Sequence, residues 1–382
     1  MKKNSCFGAL YKFELKKLLR NKVTVVTFLI LFAYSLIQGE FEVRGNIDPQ
    51  ILSEYDRINY RTLDDELLGE WYAVTDEYGT LTDDKNVAYD SLKDWIVDIR
   101  GDKVISDRIS ADELYSMRLE VIDEAYSESY LDEEEIRYWN EMEEQIEKPV
   151  IWHDSVVASG IQNGISNTMI MMLFLLGIGL ASGFSVETQR KTDPMIRSCI
   201  NGEKELYFAK ILAGMTFCLV SVSVLLAAFL IYVSAAWGIS GMDISEITLY
   251  PFTQMGLTVG QVSLILIVLT VLGCMLLSAF SLFVSEVTRN GVATMGILFG
   301  SYFLLFAAGV SIPMKMKTLS KWISLLPSIQ VSPRLVYEYR LFKIGGHFFR
   351  SYQVAGVLYV LLSVIFIAVG FILYRRYEIK SN

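Results

Sequence analysis

Long apolar runs alternate with polar stretches along the chain, and the runs have the length of helices rather than strands. A helix needs about 20 mostly apolar residues to cross the hydrocarbon core of a bilayer. Six segments meet or approach that length: Val23–Ile37, Ile161–Phe184, Tyr207–Trp237, Val259–Val284, Val292–Ile312 and Tyr352–Tyr374. The pattern predicts an all-α polytopic membrane protein with six transmembrane helices and a mainly helical extracellular domain inserted after the first span. Gly256/Gly260 and Gly296/Gly300 form small-xxx-small pairs, expected where helices pack closely. The alternative for the first run is a cleaved signal peptide with Ala33-Tyr34-Ser35 as the cleavage site. The basic stretch ahead of it is long for a signal peptide and has helical periodicity of its own.

The polar stretches carry their own periodicity. Phe7, Leu10, Tyr11, Leu15, Leu18 and Leu19 recur at helical spacing with Lys12, Lys16 and Arg20 opposite, as in an amphipathic helix lying in a membrane interface. Its lysines would face anionic headgroups, or the helix would dock a cytoplasmic partner. Within the long polar insert, Leu92, Trp95, Ile96 and Ile99, then Leu114, Met117 and Val121, mark two amphipathic helices. Asp83-Asp84 and Gly101-Asp102 read as turns. The acidic stretch Leu131–Lys148 reads as a third helix, ended by Pro149.

Charge then orients the spans. The chain of 382 residues carries a net charge of −9, but Glu40 to Asp154 holds 33 acidic and 11 basic residues, leaving a net of +13 on the remainder. Lys2, Lys3, Lys12, Lys16, Lys17, Arg20 and Lys22 place the N-terminus in the cytoplasm, and Arg375, Arg376 and Lys380 do the same for the C-terminus. The acidic insert is then outside, where it would attract cationic ligands or simply stay soluble. The loop after the second span, with Arg190, Lys191, Arg197, Lys204 and Lys210, is inside. Residues 314–350 contradict this scheme, because seven basic side chains fall on a loop that span parity puts outside. Trp322, Leu325, Leu326, Pro327 and Pro333 suggest short interfacial or re-entrant pieces there.

Chemistry-bearing motifs are scarce. The four cysteines (6, 199, 218 and 274) lie outside the acidic insert, so that domain must hold by packing, and the two histidines are far apart in sequence. The sequence shows no G-x-S-x-G, no H-E-x-x-H and no G-x-x-x-x-G-K-[ST] phosphate loop. A membrane enzyme is therefore disfavoured, and so is a proton- or ion-coupled carrier, since ionisable residues are nearly absent deep in the spans. Glu187 sits where a carboxylate can bond a cation or cap a helix, Glu286 and Arg289 are spaced for a local ion pair, and Asn163, Asn167, Gln261 and Ser263 fall near span ends, within reach of water. Between the second and third spans, Thr192–Ile200 can form a short helix capped by Thr192 or Asp193 and stopped by Asn201-Gly202.

At these residues the chain resembles the membrane subunit of bacterial ABC transporters, in the ABC type-2 permease family. The resemblance rests on the basic amphipathic start Phe13-Glu14-Leu15-Lys16-Lys17-Leu18-Leu19-Arg20, on Glu187 at the inner end of the second span, and on Thr192, Asp193, Gly202, Lys204, Ala209 and Lys210 leading into the third. It extends to span order, the large insert after the first span and the basic tail. Gln189-Arg190-Lys191 and Glu203 depart from the usual pattern. The resemblance implies residues 1–22 as a cytoplasmic interfacial helix, 23–38 as the first span, 39–160 as an acidic extracellular domain, 161–374 as spans two to six with a cytoplasmic coupling loop at 185–206, and 375–382 as a cytoplasmic tail. It further implies a non-enzymatic permease, in a bacterial cell membrane, that pairs with itself or a related permease and contacts membrane lipids, not nucleic acid. A separate cytoplasmic ABC ATPase would bind ATP and Mg, with no cofactor in this chain. Glu14, Lys16, Lys17, Glu187, Arg190, Thr192, Asp193, Gly202, Lys204 and Lys210 would couple the two. The alternative is a membrane-anchored sensor whose acidic domain binds a cationic peptide.

Overall fold

The computed structural model describes residues 7–44, 56–76, 78–101, 107–154, 156–189 and 204–376. Six of its helices are long and apolar enough to cross a membrane. They run with short helices in the order α1 (Phe7–Arg20), α2 (Lys22–Arg44), α3 (Asp65–Val74), α4 (Asp90–Arg100), α5 (Ala111–Glu128), α6 (Glu133–Glu143), α7 (Val156–Leu180), α8 (Ser185–Gln189), α9 (Lys204–Ala236), α10 (Val259–Thr288), α11 (Gly291–Ser311), α12 (Lys317–Ile323), α13 (Pro327–Gln330) and α14 (Ser351–Arg376). The helix of the first span reaches Arg44, past the expected end at Ile37, because Gln38, Glu40 and Glu42 all find partners on neighbouring spans.

The apolar faces of α7 and α10 meet at the centre of the bundle and are its most buried. Around them, α2 and α9 pack against α7, and α11 and α14 against α10. Close approach on α7 is set at Gly160 and Gly164: a methyl group on Gly164 would overlap the Phe229 ring of α9, and one on Gly160 would lie 3.0 Å from Val43 of α2. The two pairs expected from sequence behave otherwise except at Gly260, where a methyl group would lie 2.8 Å from the Met242 carbonyl. Gly296 and Gly300 face open space, and Gly256 has a φ of +60°, which serves a turn. Asn167 also departs from expectation, since its amide donates to Glu42 at 2.8 Å. Gln261 completes a capping box with Thr258 at the start of α10. At the other end of α10, Arg289 adopts a left-handed conformation and pairs with Glu286 at 2.6 Å. Asn290 then caps α11, which makes the α10–α11 turn short.

The polar insert folds into a head on one end of the bundle. Three of its helices start at conventional caps, Asp64 for α3, Ser110 for α5, and a capping box between Asp132 and Glu135 for α6, whereas α4 starts without a side-chain cap. One core gathers Trp71, Leu92, Trp95, Ile96, Leu114 and Trp152 with Ile247 from the loop before α10; a second gathers Ile122, Tyr126 and Trp139 with Tyr339 and Leu341 from the segment after α11. The head is thus made by three loops together. α6 ends at Glu143, earlier than the proline at 149 predicts. The segment 314–350 also holds an antiparallel hairpin, β1 (Phe342–Ile344) and β2 (His347–Phe349), so the chain is mostly rather than wholly helical. Gly345 and Gly346, with φ of +59° and +85°, allow its tight turn.

Candidate functional site

Lys210 lies one and a half turns into α9, on a face turned toward the bundle, where its side chain is only 2% exposed. An ammonium carries three donors and is costly to bury unless each finds an acceptor. Here they do: Glu187 Oε1 at 2.5 Å, Glu14 Oε2 at 3.2 Å and the Gly183 carbonyl at 3.0 Å. Lys17 closes the cluster from α1, 2.6 Å from Glu14 and 3.6 Å from Glu187. Burial, and then the neighbouring charge of Lys210, lower the Lys17 ammonium from its ordinary range against the pull of the two carboxylates. Among the described residues the two carboxylates face two ammonium groups, and these pairs join α1, α8 and α9.

The surrounding chain fixes these side chains. Glu14 and Lys17 are one turn apart on α1, which packs along α9 and adds a hydrogen bond from Tyr11 to Thr216 at 3.2 Å. Glu187 is held by a pinned backbone, because Ser285 of α10 donates to the Ala181 carbonyl at 2.8 Å and accepts from the Phe184 amide at 3.1 Å. The Phe184 ring lies 5.5 Å from the Lys210 ammonium and leans on Tyr207 and Tyr374. Beside the cluster a cavity of about 500 Å³ opens among Lys17, Arg20, Asn21, Ser182 and Gly214.

Of the sequence-predicted coupling residues, the fold brings together Glu14, Lys17, Glu187 and Lys210. Lys16 on α1 and Lys204 at the start of α9 are exposed and stand outside the cluster. Arg190, Thr192, Asp193 and Gly202, with the helix expected over Thr192–Ile200, lie outside the described residues. Lys17 points inward rather than toward headgroups, because two buried carboxylates are available to it.

Two polar centres in the head escaped the sequence reading. Arg118, fully buried, donates to Glu143 at 2.7 Å, to the Thr253 carbonyl at 2.8 Å and to the Pro251 carbonyl. Burial raises the Glu143 carboxyl, but Arg118 and Lys148 outweigh it and hold the group below the usual carboxylate range. The available signal was an arginine centred in an apolar stripe, with Leu114 and Ile122 four residues to either side. The second centre is Glu135 on α6, which binds Lys317 at 2.9 Å and Lys321 at 3.1 Å, while Glu134 pairs with Lys343. The basic loop that contradicted span parity is therefore clamped to the acidic insert. No known family, curated protein or solved structure matches the chain.

Proposed function

We propose that this chain is the membrane subunit of an ATP-driven transporter of the ABC type-2 permease kind, working as an exporter in a bacterial cell membrane. The observation that carries the reading is the Glu14–Lys17–Glu187–Lys210 cluster, which fastens the N-terminal helix to the end of the second span and the start of the third. A push on α1, or on the segment between α8 and α9, would then move both spans as one rigid body. The termini and the 185–206 loop would face the cytoplasm and the head the exterior. The sequence contains no phosphate loop, so the push would come from a separate ATPase subunit that binds ATP and Mg, beneath a pair of permease chains.

The test is recovery of the tagged full-length chain from native membranes in mild detergent, with assay of co-purifying ATPase. A nucleotide-hydrolysing subunit should follow the chain, and Asp193→Ala or Gly202→Val should release it. Absence of any such subunit, or labelling of the 190–210 stretch from outside intact cells, would overturn the reading. The sensor alternative draws less support, since the carboxylates of Glu134 and Glu135 are already occupied by lysines of the same chain.

A further inference from the structure

We infer that the chain holds an anionic phospholipid at the head end of its fifth span, in a pocket that the transport reading does not require. The pocket, of about 440 Å³, lies where α11 gives way to α12 and α13. One wall is apolar and comes from the last turn of the span and from α13: Val310, Ile312 and Ile329. The lining also has a polar part, with Arg334, Glu338 and Arg340. Arg340 and Glu338 neutralise each other through a two-pronged pair, with Nε to Oε1 at 2.6 Å and Nη2 to Oε2 at 2.5 Å. Arg334 makes no ion pair among the described residues and is exposed. Its guanidinium therefore leaves the pocket with a net charge of +1 and free donors suited to a phosphate.

Two features favour a lipid over a free anion. The pocket is half apolar, and acyl carbons would cover that wall where inorganic phosphate would leave it bare. Val310 and Met314 of its lining are exposed, and Met316, Leu319 and Trp322 further along the same segment are exposed too, at the end of a membrane-length helix, which fits a short interfacial segment seated among headgroups and upper acyl chains. A phospholipid of that leaflet, with its phosphate on Arg334 and a chain along Ile312 and Ile329, satisfies both parts.

Native mass spectrometry of the full-length chain, delipidated in detergent and titrated with phosphatidylglycerol, phosphatidylcholine or inorganic phosphate, tests this. One phosphatidylglycerol per chain should be retained in preference to phosphatidylcholine. Arg334→Gln, at an exposed position that the fold does not need, should weaken its retention about tenfold or more, the worth of a charge-assisted hydrogen bond. Ile329→Trp should also expel it by filling the apolar end. Equal retention of the two lipids, or retention unchanged by Arg334→Gln, would overturn the proposal. Displacement of phosphatidylglycerol by inorganic phosphate would overturn the lipid occupant in favour of a free anion.

Discussion

The Lys321 ammonium lies 3.1 Å from Glu135 Oε1, tying the short helix beyond the fifth span to the acidic helix of the head across 186 residues of sequence. Lys317 takes the other carboxylate oxygen at 2.9 Å, and the Leu341 amide adds a third donor. Arg350, at the start of the sixth span, reaches the same helix through Tyr138 and lies over the Trp139 ring. Five of the seven basic side chains of 314–350, Lys317, Lys321, Arg340, Lys343 and Arg350, thus find partners within the head instead of lying at a membrane surface. The positive-inside tendency acts on charges that stay at the surface, so this loop says little about sidedness.

Glu135 makes the head sensitive to acid. Burial raises its carboxyl, but the hydrogen bonds from Lys317 and Lys321 outweigh that and hold it below the ordinary range. A carboxyl whose folded pKa is depressed stabilises the fold above its unfolded pKa and loses that contribution as pH falls through the folded value. Glu135→Gln should therefore lower the melting temperature at neutral pH, by the equivalent of about 2 kcal/mol, and flatten the fall in stability on acidification. Tryptophan fluorescence during thermal unfolding reads both, since Trp139 is a neighbour on α6. A variant with unchanged melting at neutral pH would show that the lysines find other partners.

Arg118 is the head's most demanding side chain. Arg118→Met should destabilise the head by about 3–5 kcal/mol, because Glu143 and two carbonyls lose a buried donor. Arg118→Lys should rescue little, since one compact ammonium cannot reproduce a fork that reaches Glu143, Pro251 and Thr253 together. Protection of the insert from trypsin in the full-length chain would report the loss.

Helix packing predicts a contrast between two glycines. Gly164→Ala places a methyl against the Phe229 ring at the α7–α9 crossing and should cost about 1–3 kcal/mol or more, seen as aggregation in gel filtration. Gly296→Ala meets nothing within 4 Å and should be neutral or stabilising by up to about 1 kcal/mol. Equal behaviour of the two would mean that α7 and α9 do not approach as described.

The six spans were legible because their signal is local: each is a single run of apolar residues, and polar punctuation between runs falls at caps such as Thr258 and Asn290. The amphipathic faces of α4 and α5 were legible for the same reason. What stayed hidden is pairing across long separations. Nothing near Glu14 in sequence announces Lys210, and nothing near Glu135 announces Lys321, because an acidic or basic residue reads as solvated until its partner is known. Gly296 and Gly300 show the converse error. A spacing that permits close approach does not compel it: of the closest approaches, Gly309 lies outside any such pair, while Gly164 belongs to Gly160/Gly164, a pair the sequence reading passed over.

The cluster at Lys210 yields the sharpest test, because cost and cure differ in sign. Lys210→Met alone removes the ammonium that bridges Glu14 and Glu187, and should destabilise the chain by about 3–5 kcal/mol. Adding Glu187→Gln removes the excess carboxylate, leaves Glu14 paired with Lys17 at 2.6 Å, and should recover a large share of that loss. Trypsin cleavage after Arg20 and Lys22 reports whether α1 still packs on α9, independently of any partner. Lys16→Glu separates packing from docking. Lys16 is exposed and stands outside the cluster, so its reversal should leave cleavage and melting unchanged. If α1 docks an ATPase subunit as proposed, the same variant should reduce co-purified ATPase activity. Recovery that stays constant through Lys16→Glu but falls with Lys210→Met would assign α1 a structural role only. Co-purification would then depend on the segment between α8 and α9.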